Sequence, residues 1–399
     1  MRIAIYNDWW SPHLVGGAER TALDLSKELA KSFGSENIQI YTLSNSRKTQ
    51  KEIIDGLQVT RLSSGTFRTR FSVGLLTKLF EKFRILVDTR TQKIVAAEIL
   101  KFYPDVVILH NVDRLGLRFS SYFHSISKIP LVRIQHDLGD TCIYRTRVRK
   151  TTQQNCINSC RTCKFKENFY RKESENYSLM LSTSKFVEAS LRRFRFSPQN
   201  SNYGYPKLMT SVFESEHFSF ENSSSLKLGF VGRIVPEKGI ETVLRSLFIL
   251  KSHHNKIGSL TICGTGDKKY LKRLRQIATD LSIDLVMLGH SEDPYDSLRG
   301  KIDAVVVPST WQEPLGRVPM EAIGHGFPCF VSEIGGLPES KFFVAGPIEY
   351  FEPANADDLA EKIANALDAG IPISSPSVST NTLSSILEEF CHSIESSQP

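Results

Sequence analysis

Asp303-Ala304-Val305-Val306-Val307-Pro308 is followed, after Ser309 and Thr310, by Trp311-Gln312-Glu313-Pro314-Leu315-Gly316-Arg317-Val318-Pro319-Met320-Glu321, and this stretch decides the fold. The first run is short, β-branched and apolar, as a strand buried on both faces should be, and Pro308 stops it. Pro319 is tolerated only in the first turn of a helix, so a helix opens near 316–318 and leaves the amides of Leu315, Gly316 and Arg317 without intrahelical partners. Such an N-terminus attracts anions, phosphate above all. Glu313 falls in the loop and Glu321 about a turn inside the helix, so both can face one ligand with hydroxyls at two places and phosphate between them. Alone, the pair reads more simply as compensation of the helix dipole, and only partners elsewhere in the chain overturn that reading.

On either side of this stretch the chain alternates strands and helices. Residues 2–6, 38–43, 106–110, 131–134 and 179–184 read as buried strands, and 17–31 and 185–194 as amphipathic helices. A second series starts at 226–232 and continues with a helix over 240–251, a strand at 260–264, a helix over 269–281, a strand at 284–288, the strand before Glu313, the helix after it, and a strand at 329–332. The class is α/β: two Rossmann-like doubly wound domains, 1–205 and 226–372, facing a central cleft at the carboxyl ends of their sheets. Residues 206–225 lose period and gain Ser and Asn, as a linker does, and 373–399 read as a Ser-rich tail with a terminal helix. The charged, cysteine-containing stretch 142–177 reads as an insertion or loop.

With 399 residues, 40% of them hydrophobic and 23% charged, the chain can bury two cores and is not disordered. No run reaches about 18 uninterrupted apolar residues, and the first residues enter a strand directly, so neither a spanning helix nor a signal peptide is expected and a cytoplasmic location follows. The net charge of +7 is modest, 50 basic against 43 acidic residues. Basic side chains nevertheless cluster at 68–70, 78–84, 145–150, 164–172 and 192–195. No nucleic-acid module accompanies them. Phe80-Glu81-Lys82-Phe83-Arg84-Ile85-Leu86 interleaves bulky apolar and basic residues at helical spacing, which suits peripheral contact with an anionic membrane at its inner face.

Gly16-Gly17 stands between the first strand and a helix beginning Ala18-Glu19-Arg20, where glycine lets backbone approach a phosphate or sugar closely; a plain tight turn needs glycine there as well. In the second domain Gly232-Arg233-Ile234-Val235-Pro236-Glu237-Lys238-Gly239 also follows a strand and precedes a helix. Arg233 as a planar fork and Lys238 as a point charge suit a diphosphate. Cys142, Cys156, Cys160 and Cys163 follow soon after His136-Asp137. Their short later spacings fit either an all-cysteine structural zinc site or four reduced thiols.

The succession Gly16-Gly17-Ala18-Glu19, His136-Asp137, Gly232-Arg233 with Lys238-Gly239, Gly264-Thr265-Gly266, and Glu313 with Glu321 resembles the GT-B-fold retaining glycosyltransferases of family four, the glycosyl transferases group 1, over nearly the whole chain. The resemblance implies transfer of a sugar from a UDP- or GDP-sugar donor to a glycan or polyprenyl-linked acceptor in surface polysaccharide or lipopolysaccharide synthesis. It implies that Arg233 and Lys238 neutralise the donor diphosphate and make a metal or other catalytic cofactor unnecessary. Glu313, with the amides of Leu315, Gly316, Arg317 and Val318, would hold the donor sugar, and Glu321 the ribose. His136 would approach the transferring sugar from the first domain, Gly17 would give the diphosphate room, and Gly16, Gly232 and Gly264 would also line the donor site. The base would rest near Gly289 to Glu292, contacted mostly by backbone, with Gly289 and His290 among the donor-binding residues. Arg317 stands where many relatives are apolar. A sugar-nucleotide epimerase or phosphorylase of the same fold, or a degenerate glycan-binding member, are the alternatives; retention of Arg233, Lys238, Glu313, Glu321 and His136 together speaks against a degenerate site.

Overall fold

The computed structural model describes residues 1–12, 16–44, 46, 48–63, 89–116, 118–142, 145, 147, 156, 158–193, 201–206, 217–220, 225–342, 344–374 and 382–396. The basic clusters at 68–70 and 78–84, with the amphipathic segment 80–86, lie outside them.

The chain divides into two compact units, one comprising 1–145, 158–207 and 380–399, the other 146–157 and 208–379. In the first, β1 (Ile3–Tyr6), α1 (Gly17–Phe33), β2 (Ile38–Ser44), β3 (Gln50–Ile54), β4 (Leu57–Ser63), α2 (Thr89–Leu100), β5 (Val106–Leu109), α3 (Phe119–Ile126), β6 (Leu131–Gln135), α4 (Arg161–Ser174), β7 (Leu179–Ser182), α5 (Lys185–Arg193) and β8 (Ser201–Tyr203) follow in order. The strands form one sheet in the order β3-β4-β2-β1-β5-β6-β7-β8, parallel except for β3. Strands β1 and β5 are wholly buried runs, IAIY and VVIL, since helices cover both faces of a parallel sheet.

The second unit has β9 (His217–Phe218), β10 (Ser225–Val231), α6 (Ile240–His254), β11 (Ile257–Cys263), α7 (Lys268–Asp280), β12 (Asp284–Gly289), α8 (Pro294–Leu298), β13 (Ala304–Val307), α9 (Arg317–Gly324), β14 (Cys329–Ser332), β15 (Gly346–Phe351), α10 (Ala356–Ala369) and β16 (Ile371–Ser374). Its sheet runs β12-β11-β10-β13-β14-β15-β16-β9, with β16 antiparallel to both neighbours. The chain order reverses between β1 and β5 in the first sheet and between β10 and β13 in the second. Loops leaving such a pair diverge to opposite faces and open a crevice at the carboxyl ends of the strands, the usual place for a ligand in this class.

Three features depart from the sequence reading. The stretch 142–177 is not simply a loop, because it contains α4. That helix is polar and is fixed by specific contacts: Glu173 takes hydrogen bonds from Ser120 Oγ at 2.7 Å, Ser121 N at 3.1 Å and Ser121 Oγ at 2.5 Å, while Tyr170 is buried. Strand β9 falls in the stretch read as linker, and β16 straddles the boundary at 372/373 between the second domain and the Ser-rich tail. The terminal helix α11 (Leu383–Ser396) crosses to the first unit, where Leu383, Leu387 and Cys391 join Leu25 and Leu29 of α1 in one core. Leu383 N donates to Tyr205 O at 2.9 Å and secures the crossing. No described helix is long and apolar enough to cross a membrane.

Candidate functional site

At the β10/β13 switch of the second unit, three strand ends are laced by backbone. Gly232 N donates to Cys263 O at 3.1 Å, Ile234 N to Thr265 O at 2.8 Å and Gly264 N to Gly289 O at 2.7 Å. Gly264 has φ of +156°, and a Cβ there would stand 1.8 Å from Gly232 O, so no other residue fits. The loop after β10 then folds into a single turn, Pro236–Lys238, ended by Gly239 at φ +70°. A Cβ on Gly239 would collide with Pro308 O at 1.8 Å, so glycine lets this loop press against the end of β13.

That approach assembles the site. Thr310 N donates to Glu237 O at 3.0 Å, joining the loop after β10 to the loop after β13. Across the junction Lys238 Nζ lies 2.5 Å from Glu313 Oε1, both side chains largely buried, and Ser309 Oγ donates to the same oxygen. The ammonium also sits 6.0 Å from the centre of the Trp311 ring. Arg233, on the same loop, is exposed and can meet an anion at little structural cost.

Helix α9 opens at Arg317, with Gly316 as its N-cap and Pro319 in its first turn, as the sequence requires. No side chain caps it. Gly336 N donates to Glu313 O at 2.7 Å, which pins the loop to the turn after β14. Leu315 is buried, whereas Gly316 and Val318 are partly accessible. Inside the helix Arg317 Nε lies 2.9 Å from Glu321 Oε1, and the Tyr295 hydroxyl stands 3.4 Å from Glu321 Oε2 and 3.2 Å from Val318 O. Tyr295 is itself clamped face to face on His325, ring centroids 4.6 Å apart. Arg317, unexplained by sequence, is therefore the counter-charge of Glu321. Each glutamate has its own cation. Gly289 spends its carbonyl on the strand-end lacing, and His290 is exposed beside it.

In the first unit the β1/β5 switch carries a polar network that sequence reasoning missed. Gly16 caps α1 in extended conformation, and Glu19 from the first turn of that helix accepts from Asn111 Nδ2 at 3.0 Å. Burial pushes the Glu19 carboxyl up from its ordinary value. Arg145 Nε donates to Asp137 Oδ2 at 2.7 Å and its Nη2 to Asn111 Oδ1 at 2.9 Å, and it also pairs with Asp113. Asp8 accepts from Tyr6 Oη at 2.9 Å and from Arg114 N at 3.1 Å; burial, with the charge of Asp113, raises its carboxyl to about 7. His136 is partly buried, and its Nε2 lies 2.8 Å from Nδ1 of the fully buried His110. The usable signal for this network was position: His110 and Asn111 directly follow a buried strand, as His136 does.

The four clustered cysteines are not gathered into a ligand set. Cys142 and Cys163 are buried, Cys156 partly so and Cys160 exposed, and among the described residues no group of three or more His, Cys, Asp or Glu side chains could hold a metal ion.

Two doubly wound units, each with polar side chains collected at its switch point, make the chain's fold GT-B. The Anabaena protein HepE, solved in complex with UDP and glucose, superposes with a TM-score of 0.66 at 16% identity, covering 100% of both chains. Residues 212–375 match the family model described as glycosyl transferases group 1. That segment lies within the second unit. Along most of its length it is similar to an uncharacterized 42.6 kDa protein in the cps region of Klebsiella pneumoniae, 23% identical over 92% of this chain and 96% of the relative. It is also similar to the lipopolysaccharide 1,2-N-acetylglucosaminetransferase of Salmonella typhimurium, 30% identical over 35% of this chain and 38% of that enzyme.

Proposed function

We propose that the protein transfers a sugar from a UDP- or GDP-sugar to a glycan or polyprenyl-linked glycan, with retention of anomeric configuration and without a catalytic metal. The observation that carries this reading is the pairing of Lys238 with Glu313 beside the exposed Arg233 at the β10/β13 switch. Arg233 and Lys238 neutralise the diphosphate, the charge that must be stabilised as the leaving group departs. Glu313 accepts hydrogen bonds from the transferring sugar, with the amides at the start of α9 beside it. Glu321, oriented by Arg317 and Tyr295, accepts from the ribose hydroxyls. The first unit contributes His136 as a hydrogen-bonding partner of the sugar.

Transfer proceeds through an oxocarbenium-like state on one face of the sugar. The bond from the anomeric carbon to the phosphate oxygen breaks, the bond to the acceptor oxygen forms on the same face, and the acceptor proton passes to the departing phosphate. The Klebsiella relative in the cps region and the Salmonella lipopolysaccharide transferase support a role in surface polysaccharide or lipopolysaccharide assembly, which we place at the cytoplasmic face of the membrane. Incubation with a panel of nucleotide sugars and a polyprenyl-linked glycan tests the reading. Nucleoside diphosphate release with a glycosylated acceptor is expected; an isomerised donor, or donors left inert across the panel, would refute it.

A further inference from the structure

The turn that carries Lys238 also borders a cavity of about 620 Å³ in the second unit, inside the roughly 300–1,000 Å³ of small-molecule sites. Pro236 and Gly239, at the two ends of the turn, line it, whereas Lys238 between them reaches Glu313 instead. The first half of α6 forms one wall and the start of α10 another, with Thr310 between the strands and the opening.

Its lining has a definite chemistry. Helix α6 starts at Ile240 behind Gly239 with no side chain to cap it, so its first amides have no intrahelical partners. Helix α10 is closed by contrast, since Asn355 accepts from Asp358 N at 3.1 Å. Thr242, in the first turn of α6, is only 8% exposed and lines the cavity, and its hydroxyl makes no hydrogen bond among the described residues. Arg245 follows three positions on along the same face of the helix, exposed and without an ion pair among the described residues. The acidic neighbours differ from each other. Glu241 is gripped by Arg273, Nε to Oε1 at 2.9 Å and Nη2 to Oε2 at 3.0 Å, which offsets its charge. Asp357 is exposed on the cavity wall and has no such partner among the described residues.

We propose that this cavity is a second binding site, for a phosphorylated sugar. The first amides of α6, the Thr242 hydroxyl and the Arg245 guanidinium meet the phosphate, combining a helix N-terminus, a neutral donor and a cation. Asp357, an acceptor only, takes hydrogen bonds from the sugar hydroxyls. Its charge would repel a bare phosphate, so the site favours a ligand that carries hydroxyls beyond the anion. None of these residues is among those given to the nucleotide-sugar donor, and the site does not depend on the transferase reading.

Titration calorimetry of the full chain with glucose 6-phosphate, glucose 1-phosphate, glucose and inorganic phosphate tests this. At least one sugar phosphate should bind saturably to the wild-type protein, and more tightly than inorganic phosphate. R245A should weaken that binding by about tenfold or more, and T242V, which keeps the shape of the side chain, by about threefold or more. R233A should leave it within about twofold, because Arg233 stands outside the cavity lining. D357N should weaken the sugar phosphate and not inorganic phosphate. Arg245 is exposed, so its removal leaves the core intact. No saturable binding across the probes, an affinity unchanged in R245A or lost in R233A, or inorganic phosphate bound as tightly as the sugar phosphates would each overturn the proposal. Binding through Arg245 in a protein that turns over no nucleotide sugar upholds the site and defeats the transferase reading.

Discussion

Lys238 and Glu313, 75 positions apart, form a largely buried ion pair at 2.5 Å, because Gly239 and Thr310 draw two crossover loops together. In the function proposed above, the pair places a cation for the donor diphosphate and neutralises the carboxylate that accepts from the sugar.

Removing either partner strands the other in a site with little water. K238M and E313Q should each abolish measurable transfer, a loss of at least about a hundredfold, and each should also lower stability. The double variant should be more stable than the sum of the singles implies, with a coupling of about 1–3 kcal/mol. Denaturant unfolding of the four proteins measures it, and strict additivity would show the pair to be incidental.

Arg317 is expected to matter to the nucleotide rather than to the sugar. R317L leaves Glu321 without its counter-charge and should weaken nucleoside diphosphate binding by about tenfold or more. R317K, a point charge without the planar fork, should recover only part. E321A should lose the preference for ribose over 2′-deoxyribose nucleotides. Calorimetric titration with both nucleotide series distinguishes these outcomes, and a deoxy-insensitive wild-type protein would contradict the role given to Glu321.

Asp8 and His110 should leave opposite marks on stability against pH. The Asp8 carboxyl is raised from 3.8 to about 7, so the native state keeps a proton that the unfolded chain has lost, and its contribution, complete below 3.8, disappears as pH rises through about 7. His110 is lowered from 6.5 to about 3, so its contribution is complete above 6.5 and is lost as pH falls towards 3. The D8N variant isolates the first term. Relative to wild type it should gain on the order of 3 kcal/mol between about pH 4 and pH 8; a difference independent of pH would contradict a buried, protonated Asp8.

G264A should destabilise the second unit by at least about 2 kcal/mol, since the added methyl meets backbone rather than a side chain that can turn aside. A shift of the denaturant midpoint with unchanged slope is the expected signature. An unaltered midpoint would show the strand-end lacing to be pliable.

The alternation of strands and helices was legible because parallel strands such as Val305-Val306-Val307 are apolar throughout, and because Pro319 and Gly316 allow a helix to start at only one place. The site was legible where loops are short: Lys238 and Glu313 follow adjacent strands and had to come near each other. Helix α4 was not, since its hold on the first unit comes from Glu173 meeting two serines 52 and 53 positions away, which no apolar stripe announces. Strand β3 was hidden for a related reason, being an exposed antiparallel edge rich in polar side chains. Arg317 stayed opaque until helical spacing brought Glu321 to its side. His110 stayed opaque because a buried histidine declares its place in a network only through the ring it touches.

Arg233 is the sharpest probe of a nucleoside diphosphate site in the second unit, because it is exposed and can be removed without disturbing the core. Titration calorimetry of wild type and R233A with UDP, GDP and their sugars should give saturable binding to the wild-type protein for at least one base and a loss of roughly 1.5–3 kcal/mol in R233A, tenfold or more in Kd. Equal affinities in the two proteins, or no binding to wild type across the panel, would contradict it.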